Sequence, residues 1–136
     1  MAINRRKAKG RRDYGHYIPI PTTSFLGHPN YHNLSASAVK LLFSLCSQFS
    51  GHNNGDFTAA FSVLQKQGWK SKETLQRAKQ ELLEKGFIVE TRKGGLGMGC
   101  SLYGVTFLPI NHCKGKLDTN FSESIPLGWW KNGQPP

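Results

Sequence analysis

Acidic residues are scarce in this 136-residue chain: eight Asp and Glu stand against 18 Lys and Arg, a formal net charge of +10 at pH 7. A surplus of that size favours polyanions, because each phosphate neutralised releases counterions. The shortage also leaves no two carboxylates placed as an acid–base pair. Long apolar runs are missing as well. No stretch of about 18 residues reads as a membrane span and no basic amphipathic helix reads as a surface anchor, so no membrane is expected among the partners. The N-terminal charges are not followed by an apolar core of about 7–15 residues, as a secretory signal would require. Cys46, Cys100 and Cys113 are odd in number and irregularly spaced, a pattern of neither a disulfide framework nor a zinc site. His16, His28, His32 and His52 are scattered without metal-ligand spacing. His112 and Cys113 are adjacent, and neighbours seldom face each other as base and nucleophile. The expectation is a cytoplasmic, non-catalytic protein with reduced thiols and no cofactor or metal.

What the chain does hold is unevenly placed. Arg5, Arg6, Lys7, Lys9, Arg11 and Arg12 oppose only Asp13. Residues 1–16 therefore read as a basic disordered arm, one that orders on a polyanion and adds affinity more than sequence preference. Residues 17–108 read as one domain, and 109–136 as an irregular tail. Tyr17-Ile18-Pro19-Ile20-Pro21 reads as extended, with Phe25-Leu26 packing inwards.

Apolar periodicity then marks the elements. Ala38, Leu41, Leu42, Leu45 and Phe49 recur on one face of a helix expected over 36–49, with Ser35 as its N-cap. Val39, Phe43 and Cys46 are apolar too, which predicts burial on two sides. Ser50-Gly51 and Asn53-Asn54-Gly55 are turn sequences, and residues 56–59 could form a short strand. A second helix is expected over 60–67, stopped by Gly68, with Trp69-Lys70 as the turn. Ser71 caps a third helix whose inward stripe is Leu75, Ala78 and Leu82, with Gly86 just past its end. Phe87 to Arg92 and Leu102 to Phe107 alternate as two half-buried strands of a hairpin. Lys93-Gly94-Gly95-Leu96-Gly97-Met98-Gly99 forms its tip.

This order predicts an α+β, mainly helical fold: a winged helix-turn-helix of three helices and a β-hairpin wing, with flexible tails. The second helix of such a motif can enter a major groove about 12 Å wide. At about 100° per residue, Glu73, Arg77, Gln80 and Glu84 lie opposite the inward stripe, with Gln76 beside them. Arg77 could fork onto guanine, and Gln76 and Gln80 could pair with adenine. Ser71, Lys72 and Thr74 sit at the helix N-terminus, where a phosphate can be held. Equally, a mixed Glu, Lys, Arg and Gln face is ordinary solvated surface, and Glu73 and Glu84 repel phosphate. With Arg92 and Lys93 at its base, the tip could track a phosphate backbone or lie in a minor groove. The same tip also reads as a plain loop with turn glycines. In the tail, Trp129-Trp130 either folds back on the domain or anchors a protein partner or second subunit.

These residues resemble a winged-helix family of phage and plasmid replication-initiator N-terminal domains and small mobile-element regulators. The likeness runs from Tyr17-Ile18-Pro19-Ile20-Pro21 through Leu34-Ser35-Ala36-Ser37-Ala38-Val39-Lys40-Leu41-Leu42 and Asn53-Asn54-Gly55-Asp56. It is strongest at Ser71-Lys72-Glu73-Thr74-Leu75, Glu81-Leu82 and Lys85-Gly86-Phe87-Ile88. Gln65-Lys66-Gln67-Gly68-Trp69-Lys70 departs from it by lacking the aliphatic-Gly turn. The resemblance implies double-stranded DNA binding at an origin or operator in a bacterial cytoplasm or nucleoid, often as a homodimer on repeats. Lys72, Thr74, Gln76, Arg77 and Gln80 match its recognition helix. The rival expectation is a protein-interaction module on the same scaffold, such as a phage product that inhibits a host protein.

Overall fold

The computed structural model describes residues 16–97 and 99–136. The basic arm with Arg5, Arg6, Arg11 and Arg12, and Met98 of the hairpin tip, lie outside the described residues. Among the described residues the fold is α+β, with helices packed on a three-stranded antiparallel sheet.

The chain enters extended, then makes a single π-helical turn, Thr22–Leu26, and a short helix α1, Pro29–His32. Neither turn was expected from the sequence, because four or five residues are too few for a period to show. Pro21 and Pro29 stand at their N-terminal positions, and the His28 ring nitrogen accepts from the Asn30 amide at 3.0 Å. The turn drives Phe25 into the core, where it is 1% exposed.

Helix α2, Ala36–Cys46, begins at Ser35, whose hydroxyl accepts from the Ala38 amide at 3.1 Å. It ends three residues before the expected Phe49, because the backbone tightens to Gln48–Leu45 and Phe49–Cys46 bonds of 3.0 Å. The turn frees the Gln48 amide to act as a strand edge. Its two side-chain atoms pair with the backbone of Thr58, at 2.8 Å each, on the short strand β1, Phe57–Thr58. Ala38, Leu41, Leu42, Leu45 and Cys46 are buried, but Phe43 is 43% exposed, so α2 is not covered on two sides as its composition suggested.

The expected second helix splits into helix α3, Phe61–Leu64, and a 3₁₀ turn, Gln65–Gln67. Gly68, at φ +92°, reverses the chain. Trp69, in the expected turn, is 4% exposed, with its indole N–H donating to the Ser44 hydroxyl at 3.1 Å. Helix α4, Lys72–Glu84, starts at Ser71, which accepts from the Thr74 amide at 3.2 Å, and buries Leu75, Ala78 and Leu82. It stops in a Schellman arrangement: Phe87 N–H reaches Leu82 C=O at 2.9 Å and Gly86 N–H reaches Leu83 C=O at 3.2 Å. Gly86 is required there twice over. Its φ is +77°, and a side chain would begin 2.9 Å from the Trp129 carbonyl oxygen.

Strands β2, Ile88–Arg92, and β3, Leu102–Val105, form the hairpin, and β1 adds to the far side of β3, giving the order β1-β3-β2. Thr91 sits at a bulge between the Glu90–Tyr103 and Arg92–Leu102 pairs, turning its hydroxyl to the Gly55 carbonyl. The strands were expected to be half-buried. Instead every residue of β3 is buried, because the segment after Phe107 folds across the second face. Ile110 and Leu117 pack around Gly55, and a side chain at Gly104 would begin 2.7 Å from Ile110. Asn54, fully buried, ties this layer down with bonds to Val105, Leu108 and Pro109.

Candidate nucleic-acid interface

Helix α4 is amphipathic in the simplest sense: its stripe of Leu75, Ala78 and Leu82 is inside, and the face opposite is open. Lys72, Glu73, Gln76, Arg77, Gln80 and Glu84 are exposed, and Thr74 is partly exposed. Glu73, Arg77, Gln80 and Glu84, expected opposite the inward stripe, are each exposed. Several of these side chains already have neighbours of their own. Arg77 meets Glu73 at 3.2 Å, with 70% and 79% of the two side chains exposed. Gln80 donates to Glu84 at 3.0 Å. Such solvent-screened contacts one turn apart are worth about 0.3–0.5 kcal/mol, little enough to exchange for a stronger partner. Lys72 leans over the Phe61 ring at 5.7 Å, linking the helix start to α3.

At the N-terminus of α4 the Ser71 oxygen is occupied by the Thr74 amide. The first amides of the helix remain directed outwards, with Lys70 and Lys72 exposed beside them. Glu73 in the first turn suits the positive end of the helix but opposes an incoming anion.

A feature the sequence reading passed over lies between α4 and the hairpin. Ala59, Ala60, Lys79, Cys100, Ser101 and Tyr103 line a shallow groove of about 150 Å³. Lys79 crosses it, its ammonium 5.7 Å from the centre of the Tyr103 ring. Burial first, then the Glu90 carboxylate, hold the Tyr103 phenol above its ordinary 10, so it stays a neutral donor, directed at Glu90 over 3.4 Å. Lys79 could have been found: it follows Ala78 and stands four residues after Leu75, on the flank of the inward stripe that faces the next element.

The hairpin neck carries the remaining expected cations. Arg92 is partly buried, its guanidinium beside Gly99, and the exposed Lys93 gives its backbone N–H to Asp118 at 3.0 Å. Gly95 and Gly99 pair across the tip. Taken together, the α4 face, the groove and the neck present Lys72, Arg77, Lys79, Arg92 and Lys93 against Glu73, Glu84, Glu90 and Asp118.

Glu81 faces the other way. Its carboxylate accepts from the Ser35 amide at 2.9 Å, the Ser35 hydroxyl at 2.7 Å and Lys85 at 3.3 Å, so α4 caps α2. Burial acts to raise its pKa, but the Ser35 and Lys85 bonds outweigh that and hold the carboxyl below its ordinary 4.5.

The tryptophan pair divides. Trp130 is 3% exposed, edge-on to Phe25 at 4.8 Å and to His28 at 5.1 Å. Its carbonyl accepts from Asn30 at 2.9 Å. It therefore packs internally and offers no anchor to a partner. Trp129 is half-buried, with Phe121 edge-on at 6.0 Å.

A larger concavity, about 560 Å³, lies among His52, Asp56, His112, Cys113, Lys116 and Glu123. Within it Lys116 binds Asp56 at 2.9 Å and His112 lies 3.2 Å from Glu123, with Lys114 also on its lining. Burial, helped by Asp56, pushes the Cys113 thiol up to about 11, so it is a poor nucleophile at neutral pH. Burial alone pushes Cys46 to about 12. Among the described residues no group of three His, Cys, Asp or Glu could hold a metal ion, and no helix is long and apolar enough to cross a membrane.

The chain matches no protein-family model, no curated protein and no solved structure. The functional reading rests on the geometry above.

Proposed function

We propose that this protein binds double-stranded DNA without catalysis, as a winged helix-turn-helix. The observation that carries the reading is the outward face of α4. A capped helix leaves Lys72, Gln76, Arg77 and Gln80 uncovered, beside a groove crossed by Lys79 and a hairpin with Arg92 and Lys93 at its neck. Support for the fold name comes from the order helix–strand–helix–helix–strand–strand, with β1 added beside β3. In that arrangement α3 and α4 are the helix-turn-helix and the β2–β3 hairpin is the wing. The formal charge of +10 supplies the attraction to a polyanion.

In this reading Arg77 exchanges Glu73 for a guanine edge, and Gln76 and Gln80 pair with adenine. Lys72, Lys79, Lys93 and the basic arm hold phosphates and set register without reading bases. A dimer on repeated sites, within a regulator or replication accessory of a mobile element in a bacterial cytoplasm or nucleoid, is the biological setting we favour.

Selection of bound duplexes from a randomised pool tests the reading. The wild type should enrich a sequence, and Arg77→Ala with Gln80→Ala should bind but enrich none. Trp129→Ala serves as control and should keep the preference; Trp130→Ala is unsuitable, since that ring is core. Loss of the preference in the control but not in the helix pair would overturn the assignment of α4.

A further inference from the structure

The hairpin tip holds a residue that neither the core nor the α4 face explains. Leu96 is completely exposed, at 105% of its reference area. Glycines flank it, and nothing lies within 4 Å of where a side chain on Gly95 or Gly97 would begin. The neck beneath it is braced. Gly95 N–H donates to the Gly99 carbonyl at 3.2 Å, and Gly94 N–H to the Ser101 hydroxyl at 2.9 Å. Lys93 N–H is held by Asp118, and a guanidinium nitrogen of Arg92 lies 3.3 Å from where a Gly99 side chain would begin. A single exposed leucine is ordinary on a protein surface. A leucine at the point of a supported, glycine-thin hairpin, with cations at its neck, has the build of a probe.

We infer that Leu96 is a wedge that enters the minor groove of duplex DNA and partly unstacks a base step, kinking the duplex. This rests on the DNA reading of α4 and adds the residue and the deformation. The chemistry fits at each point. The minor groove is only about 6 Å wide, so flanking side chains would obstruct entry and glycines do not. Aliphatic groups inserted between base steps bend DNA by roughly 20–90°. Pyrimidine–purine steps yield most easily, which gives the protein a preference at bases that α4 never touches. Arg92 and Lys93 then meet the phosphates at the groove edges.

The experiment uses the full chain and a duplex of about 20 base pairs with a central TpA step, dye-labelled at both ends. Anisotropy reports binding and energy transfer between the dyes reports bending. The wild type should bind and raise the transfer. Leu96→Ala should bind roughly ten-fold more weakly, the order expected from leaving one leucine unburied, and at saturation should leave the duplex straight. Lys93→Ala should weaken binding yet still bend the DNA when saturated. Leu96 is completely exposed, so an unchanged melting temperature for Leu96→Ala confirms that the fold is intact. Equal bending by Leu96→Ala and the wild type, or wild-type binding to a straight duplex, overturns the wedge alone. Absence of wild-type duplex binding by anisotropy overturns the DNA reading and the wedge with it.

Discussion

Replacing Asn54 by Ala tests how the C-terminal segment is fastened to the sheet. Asn54 is fully buried, and its amide nitrogen lies 3.0, 3.2 and 2.9 Å from the carbonyls of Val105, Leu108 and Pro109. Its side-chain oxygen accepts from Val105 N–H at 2.8 Å. Two amide hydrogens serve the three carbonyls, so the substitution removes about three hydrogen bonds. A buried bond contributes on the order of 1 kcal/mol net, and the orphaned Val105 N–H adds a desolvation cost of roughly 1–3 kcal/mol. The sum is a loss of about 4–6 kcal/mol. For a domain of this size that lowers the melting temperature by about 10–20 °C. Circular dichroism on heating and urea denaturation at 25 °C would measure it. A loss below about 1 kcal/mol would refute the reasoning, since water would then be replacing the amide at no cost.

Glu81→Gln should destabilise at pH 7 and progressively less in acid. The folded carboxyl is held below its ordinary 4.5, so its contribution is present above that value and lost as pH falls through the lower, folded one. Urea midpoints of both proteins between pH 7 and pH 3 check this, and a constant difference would count against the Ser35 contacts as its source. Lys79→Ala should weaken duplex binding for every sequence alike and reduce the slope of log affinity against log salt by about 1. An unchanged slope would remove the groove from the interface. Cys100 is exposed and lines that groove, whereas Cys46 is buried. Maleimide should therefore label Cys100 first, and bound duplex should slow it several-fold, read by mass spectrometry. Equal labelling rates with and without DNA would argue that the groove stays open.

The two long helices were legible because burial on one side writes a 3.6-residue period, and Ser35, Ser71 and Gly86 punctuate it with recognisable cap chemistry. The hairpin was legible for the same reason at period two. Its two-sided burial was not: the covering layer of Ile110 and Leu117 is irregular chain, which carries no period. Trp69 lies in the turn as expected, but its burial was not legible, because its indole N–H meets Ser44 from another helix. Asn54 looked like turn chemistry, and only the folded chain shows that its side chain closes three carbonyls. On the candidate site, Arg77 and Gln80 were readable with Glu73 and Glu84 as the face opposite the leucines, Gln76 as their neighbour, and Lys72 as part of the helix N-terminus. Lys79 was not, since its role arises from Tyr103, which the chain brings to it from over twenty residues away.

The central claim is attraction to duplex DNA through several phosphates, and fluorescence anisotropy with a random-sequence duplex and a matching single strand, titrated across salt, tests it most directly. The account predicts duplex binding whose log affinity falls linearly with log salt by several units, about 0.9 for each phosphate neutralised. No duplex binding even near ~50 mM salt, where such contacts are strong, would contradict it and turn the search towards a protein partner.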